Sequence, residues 1–252
     1  MSDLNFENKT VLVTGGAGGF GSQTCREFAA RGANVVVADL NFEKAQAVAD
    51  ELASAVAITM DVTDEESIKA GIQSAVDTFG GLDVLVNNAG APNLAGPYEN
   101  TTSKDMDWLY QINYRSTALA SQYALEHLRK SPIGNIVNVA SVSAKRPRPG
   151  SAIYCSLKAG VEAFTRALAV ELAPDIRVNA VSPVIAETGF VKNAMGTDTI
   201  PDETKASMVS GIPMGRPADI TDVANSIVFL ASDMASFLTG SIIDVDGGRS
   251  IS

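Results

Sequence analysis

The chain has 252 residues, 46% hydrophobic and 19% charged, with a formal net charge of −10; that balance suits a globular protein of one or two domains that needs no disulfide or metal staple. The acidic surplus argues against a general binder of nucleic acid or anionic membranes, and no apolar run approaches the ~18 residues of a membrane span. One histidine, His127 in YALEHLRKS, reads as a surface residue and leaves neither a Ser–His–Asp base nor zinc spacing, while Cys25 and Cys155 read as unpaired reduced thiols of a cytoplasmic protein.

Valine-rich strands are predicted at 10–15, 34–40, 55–62, 82–90, 135–141, 176–183 and 241–248, with helical patterns such as SQTCREFAARG, NFEKAQAVADELA and DEESIKAGIQSAVDTFG between them. Strands apolar on both faces and separated by helices predict a doubly wound α/β fold, a parallel sheet covered on both sides, in one domain. Residues 187–220 break the alternation with glycine, proline and weak helical pattern. An insertion of that kind is expected to be a lid or substrate-binding loop.

In open parallel sheets ligands sit beyond the carboxyl ends of the strands. Gly15, Asp39, Asp61, Asn88, Ser141 and Pro183 all fall at or near such ends. After the first strand, residues 14–21 read TGGAGGFG. Two spacings fit: Gly16, Gly18 and Gly21 match GxGxxG, while Gly15, Gly19 and Gly21 match TGxxxGxG. Either places small residues where backbone must approach a pyrophosphate, ahead of a helix whose free amides favour anions. Asp39, eighteen residues past Gly21, ends the second strand. A carboxylate there can accept from both ribose hydroxyls and repel a 2′-phosphate, so NAD is expected over NADP. Leu40 and Asn41 beside it add no positive charge. The competing reading of Asp39 is a surface cap for the next helix.

Residues 154–158 read YCSLK, which sets Tyr154 and Lys158 four apart on a predicted helix. Such residues share a face at about 5–6 Å between Cβ atoms. Lowering a phenol from pKa ~10 to ~7 takes roughly 4 kcal/mol. One cation about 4 Å away at an effective dielectric near 20 supplies roughly that. The spacing is therefore expected to make Tyr154 a usable acid/base, although an i,i+4 Tyr/Lys pair also suits any helix surface. Ser141, at the end of the strand before it, offers a hydroxyl for a substrate oxygen.

The chain resembles the short-chain dehydrogenase/reductase family through TGGAGGFG, Asp39, Asp61–Val62, NNAG at 87–90, Asn113 in QINYRS, Ser141 thirteen residues before Tyr154, YCSLK, SPVIAET and DVDGG. The resemblance implies a Rossmann-type seven-stranded sheet, a nicotinamide cofactor and a catalytic set of Asn113, Ser141, Tyr154 and Lys158. Tyr154 is expected to exchange a proton with the substrate oxygen and Ser141 to orient that oxygen. Lys158 is expected to hold the nicotinamide ribose and lower the Tyr154 pKa, and Asn113 to bend its helix and position a water. The implied cofactor-binding residues are Gly15, Gly18, Gly19, Phe20, Gly21, Asp39, Leu40, Asp61, Val62, Asn88, Ala89, Gly90, Tyr154, Lys158, Pro183, Ala186 and Thr188.

One departure stands out. Val184 follows Pro183 where the family usually has glycine. Valine resists positive φ, so an altered path is expected for the loop beside the nicotinamide.

The substrate is expected to be a secondary alcohol, or a polyol or sugar hydroxyl, or the corresponding ketone or lactone, oxidised or reduced with NAD(H). Its pocket is expected to be walled by Val142, Ser143, residues 91–97, residues 145–150 and the 187–211 insertion. Lys145, Arg146 and Arg148 form a basic loop that either receives an anionic substrate group or faces solvent or another subunit. A 3-oxoacyl-thioester reductase and an NAD-sensing regulator without turnover remain as alternatives. Val161, Phe164, Leu168 and Ala169 make an apolar stripe on the YCSLK helix. It fits either a two-fold contact in a homotetramer or homodimer, or burial against the chain's own sheet.

Overall fold

The computed structural model describes residues 4–92, 96–186, 203, 206 and 209–252. β-Branched and small apolar residues build strands β1 (Thr10–Thr14), β2 (Asn34–Asp39), β3 (Ala55–Thr59), β4 (Val84–Asn87), β5 (Asn135–Val139), β6 (Arg177–Pro183) and β7 (Ile242–Val245). They form one seven-stranded sheet in the order β3-β2-β1-β4-β5-β6-β7, and every adjacent pair is parallel. β1, β4 and β5 are buried along their whole length, whereas the edge strands β3 and β7 are only partly covered. This is the expected doubly wound fold.

Helices α1 (Gly19–Ala29), α2 (Phe42–Ala49), α3 (Glu65–Phe79), α4 (Ser103–Tyr110), α5 (Ser116–Leu128), α6 (Ala152–Leu172) and α7 (Ile220–Ala231) cover the sheet. Alternation along each strand sends its side chains to opposite layers. Val11, Val13, Val35, Val37, Val84 and Val86 pack with Cys25 and Phe28 of α1, Val48 of α2 and Val223 and Ile227 of α7. Leu12, Val36, Leu85 and Ile136 face Ile68 and Ile72 of α3, Ala120 and Ala124 of α5 and Leu172 of α6. On α6, Val161 and Ala169 are buried within the chain, while Phe164 stacks edge-on to Tyr114 with centroids 6.0 Å apart. The half of the stripe at Val161 and Ala169 is therefore used internally.

The strands stop earlier than the sequence suggests. β3 ends at Thr59, opposite the end of β2 at Asp39. Beyond it Asp61 closes a turn, its Oδ1 accepting from Thr63 N at 2.8 Å and Thr63 Oγ1 at 2.7 Å. β4 ends at Asn87 and β5 at Val139, so Asn88–Gly90 and Ser141 lie in the turns past the sheet, on its carboxyl edge. The strand order reverses between β1 and β4, the crevice where doubly wound sheets bind ligands.

Candidate active site

The loop after β1 is pinned over the end of β2. Gly16 N donates to Ala38 O at 3.0 Å and Ala17 N to Asp39 Oδ2 at 3.0 Å. Gly15 and Gly19 take positive φ, 62° and 44°. A Cβ on Gly21 would lie 2.1 Å from the Gly15 carbonyl oxygen. Special backbone is thus required at Gly15, Gly19 and Gly21, which selects the TGxxxGxG reading over GxGxxG. Gly18 caps α1 without a side-chain hydrogen bond, and a Cβ there would meet nothing within 4 Å. Phe20 packs on the core at the first turn. Open space ahead of a helix N-terminus with no acidic residue in its first turn fits a pyrophosphate.

Asp39 does not itself cap α2; it holds the two segments on either side of the end of β2. One oxygen accepts from Ala17 N and the other from Asn41 N at 3.0 Å, and Asn41 in turn caps α2. A carboxylate has about four lone-pair sites, so it can fix the loop and still accept from ribose hydroxyls. Leu40 beside it is 67% exposed, and Val62 is buried past the end of β3.

Thr14 escaped sequence reasoning, yet it joins the two loops. Its Oγ1 accepts from Asn88 N at 3.1 Å and Ala89 N at 3.0 Å, and donates to Val86 O at 3.4 Å. The Asn88 side chain points back into this joint, donating to Thr14 O at 2.9 Å and Gly15 O at 3.1 Å. Asn88 therefore supports the glycine-rich loop with its side chain instead of presenting its amide to a ligand. The only sequence signal for Thr14 was its place in TGxxxGxG.

Asn113 lies fully buried in a π-helical turn, Gln111–Arg115, between α4 and α5. Its Nδ2 donates to Leu109 O at 3.2 Å and to Ala91 O at 2.9 Å, and its Oδ1 accepts from Ala91 N at 3.2 Å. Capture of a helix carbonyl by a side chain fits the π-helical turn at this point. At Gly90 a Cβ would come within 3.0 Å of Asn113 Oδ1 and 3.4 Å of Lys158 Nζ. Gly90 is the seam that lets the helix turn and the lysine close on each other.

Tyr154 and Lys158 are both buried on α6. Lys158 Nζ donates to Val139 O at 2.9 Å and stands 5.9 Å from the centre of the Tyr154 ring. The phenol hydrogen-bonds with Ser141, whose Oγ also accepts from Ser143 N at 3.1 Å. Ser141, Tyr154, Lys158 and Asn113 thus converge at the carboxyl edge of β4 and β5, beside the glycine loop. His127 sits half-buried in the last turn of α5 and takes no part.

The expected electrostatics need correction. Burial pushes Tyr154 up to about 12, against smaller downward pulls from the Ser141 hydrogen bond and the Arg148 charge. Lys158 is itself pushed down to about 8 by burial. The cost of taking both groups from water outweighs the attraction expected from their spacing. The Lys158 ammonium, expected to serve the phenol, hydrogen-bonds the Val139 carbonyl instead.

Val184 does not divert the chain at its own position. Its N donates to Val245 O at 3.0 Å, prolonging the β6–β7 pairing, and its side chain joins Val142 and Ile212 in a small buried cluster. Pro183 pairs in register with Val245, and Ala186 is buried in a bridge to Ala218. Thr188 and most of the 187–220 insertion lie outside the described residues. Among the described residues no group of His, Cys, Asp or Glu could hold a metal, and no helix is long and apolar enough to cross a membrane.

Comparison with known proteins agrees with this geometry. A family model described as Enoyl-(Acyl carrier protein) reductase matches residues 15–250. A 4-formylbenzenesulfonate dehydrogenase of Comamonas testosteroni is 41% identical, over 98% of this chain and 100% of that protein. A cis-4-hydroxycyclohexanecarboxylate dehydrogenase of Sinomonas cyclohexanicum is 39% identical, over 96% of this chain and 97% of its own length. Among solved structures, a 3-ketoacyl-(acyl-carrier-protein) reductase of Brucella melitensis complexed with NADH superposes with a TM-score of 0.91 at 37% identity, covering 97% of this chain and 99% of that one. The glycine loop, the parallel sheet and the Ser–Tyr–Lys–Asn cluster thus sit in one molecule with relatives matching end to end: the chain belongs to the short-chain dehydrogenase/reductase family and is an oxidoreductase.

Proposed function

We propose that the protein interconverts a secondary alcohol, or a ring hydroxyl, and the corresponding carbonyl compound, with NAD(H) as redox partner. The observation that carries this reading is the meeting of Ser141, Tyr154, Lys158 and Asn113 beside a loop shaped for a dinucleotide. The name of the Sinomonas relative, a ring-alcohol dehydrogenase, supports the reaction class. Asp39, placed at the ribose end with no basic neighbour in Leu40 or Asn41, supports NAD over NADP.

A bound nicotinamide supplies the hydride acceptor or donor. Gly15, Gly18, Gly19 and Gly21 would hold its pyrophosphate and Asp39 its adenosine ribose, with Asp61 and Val62 beside the adenine. In the direction of carbonyl reduction, the Tyr154 hydroxyl gives its proton to the substrate oxygen while Ser141 donates a hydrogen bond to the same oxygen. In oxidation Tyr154 takes that proton back. Lys158 would hold the nicotinamide ribose, and Asn113 fixes the helix turn behind it. Exclusion of water by the buried phenol strengthens each of these hydrogen bonds.

Tyr154→Phe tests the assignment. Turnover should fall by at least about 1000-fold, with the NADH dissociation constant within a few-fold of wild type by fluorescence titration. Substantial residual turnover would remove Tyr154 as the proton donor. A second reading, reduction of a 3-oxoacyl thioester, is favoured by the Brucella likeness. Acetoacetyl-CoA in the same NADH and NADPH assay distinguishes it from the alcohol reading.

A further inference from the structure

The loop between Ser141 and Tyr154 carries three basic residues, and the structure gives them different work. Lys145 Nζ donates to Asp244 Oδ1 at 2.5 Å and stands 3.9 Å from Glu162 Oε1, tying the loop to β7 and α6. Arg146 Nη1 donates to Arg249 O at 2.8 Å and Ser252 Oγ at 3.1 Å. Both are spent on holding the loop in place. Arg148 is exposed and, among the described residues, makes no hydrogen bond or ion pair.

Arg148 is also held in a stiff stretch. Pro147 and Pro149 flank it, each ring fixing its own φ, and the residue before a proline is confined to extended backbone. Its charge reaches the reacting end, since the Arg148 guanidinium is one of the influences that lower the Tyr154 phenol against burial. The adjoining backbone meets the neighbouring loop where Gly96 N donates to Gly150 O at 3.4 Å. Between these loops lies a small open hollow with Tyr98, Leu109 and Ile153 among its walls, so apolar side chains lie near the Gly150 end of the loop. In a chain of net charge −10, an unpaired guanidinium on the loop that joins Ser141 to Tyr154 is a local exception. Its planar fork matches a carboxylate or sulfonate.

Resting on the alcohol/carbonyl reading above, we propose that Arg148 determines specificity by binding an anionic group, a carboxylate or sulfonate, on the end of the substrate remote from the reacting carbon. The substrate class is then an anionic hydroxy or carbonyl compound with an apolar frame. The test uses matched secondary alcohols, 4-(1-hydroxyethyl)benzoate and 4-(1-hydroxyethyl)benzenesulfonate against neutral 1-phenylethanol. They are assayed with wild type, Arg148→Gln and Arg148→Lys. The ratio of kcat/KM, charged over neutral, should fall roughly 10- to 100-fold in Arg148→Gln and less in Arg148→Lys; losses common to both substrates cancel in that ratio. The sulfonate and carboxylate arms show which anion is preferred. Independently of turnover, 4-acetylbenzoate binding to the NADH-loaded protein, measured by calorimetry, should weaken by a similar factor in Arg148→Gln. An unchanged ratio with turnover intact would overturn the proposal. So would no measurable 4-acetylbenzoate binding to wild type, or an NADH affinity that drops as far as that for 4-acetylbenzoate. Arg148-dependent binding without turnover of any alcohol would retain the anion site and overturn the proposed reaction instead.

Discussion

At Tyr154 and Lys158 the same burial acts with opposite sign, because it disfavours whichever form is charged. The phenol is pushed up to about 12 and the amine down to about 8. Tyr154 as the chain alone sets it is thus a proton donor across the physiological range, and a base only in its minor form. Reduction of a carbonyl, which consumes the protonated phenol, should show a flat kcat/KM from about pH 6 to 8. Oxidation, which needs the phenolate, should rise with pH, by up to about tenfold per unit. Parallel pH profiles in the two directions check this, and an oxidation rate independent of pH from 6 to 8 would contradict it. Much of this residue set was legible beforehand, because Ser141, Tyr154 and Lys158 carry their spacing in the sequence. Their protonation was not legible, because solvent exclusion depends on Gly90, Asn113 and Val139, which only the fold brings around Lys158.

Among the elements, the turn between β1 and α1 shows how support and recognition share the same atoms. Asp39 reaches back from β2 to the Ala17 amide, so the carboxylate proposed to read the ribose also fastens the glycine-rich loop. Asp39→Ala should therefore have two effects. The preference for NAD over NADP, as a ratio of kcat/KM, should narrow by at least about tenfold as repulsion of a 2′-phosphate disappears. The protein should also lose roughly 1 kcal/mol in urea unfolding, because the Ala17 amide loses its acceptor. A ratio equal to wild type would show that the 2′-position is read by other residues. The glycine spacing was visible at once, but two overlapping patterns matched it. Only backbone angles and the contact between Gly21 and the Gly15 carbonyl separate them. Thr14 and Asn88 were harder to foresee, since their hydrogen bonds join residues 72 to 75 positions apart in sequence.

Across the whole molecule, strands and helices were readable because valine clusters and helical periodicity are local signals. Polar residues inside strands are not. Asn87 Nδ2 donates to Asn138 Oδ1 at 2.9 Å and to Ser121 Oγ at 3.1 Å, and Asn138 Nδ2 donates to Thr165 Oγ1 at 2.9 Å. This buried chain links α5, β4, β5 and α6, and in the sequence it looks like noise in an apolar pattern. Each donor is matched, so the chain orients neighbouring strands and helices without leaving a buried polar group exposed to desolvation cost. Cys25 belongs to the opposite layer, fully buried under the glycine loop, with its Sγ 3.9 Å from Gly16 O and its thiol pushed up to about 12 by burial. Alkylating and disulfide-exchange reagents attack only the thiolate, so in the closed molecule this sulfur is both blocked and protonated. Its labelling rate becomes a stopwatch for transient opening of the nucleotide half. In a Cys155→Ser background, dithionitrobenzoate should react with Cys25 at least about 100-fold more slowly than with the urea-unfolded chain, and saturating NADH should slow it further. Labelling as fast as in urea would mean that this half is already open to solvent.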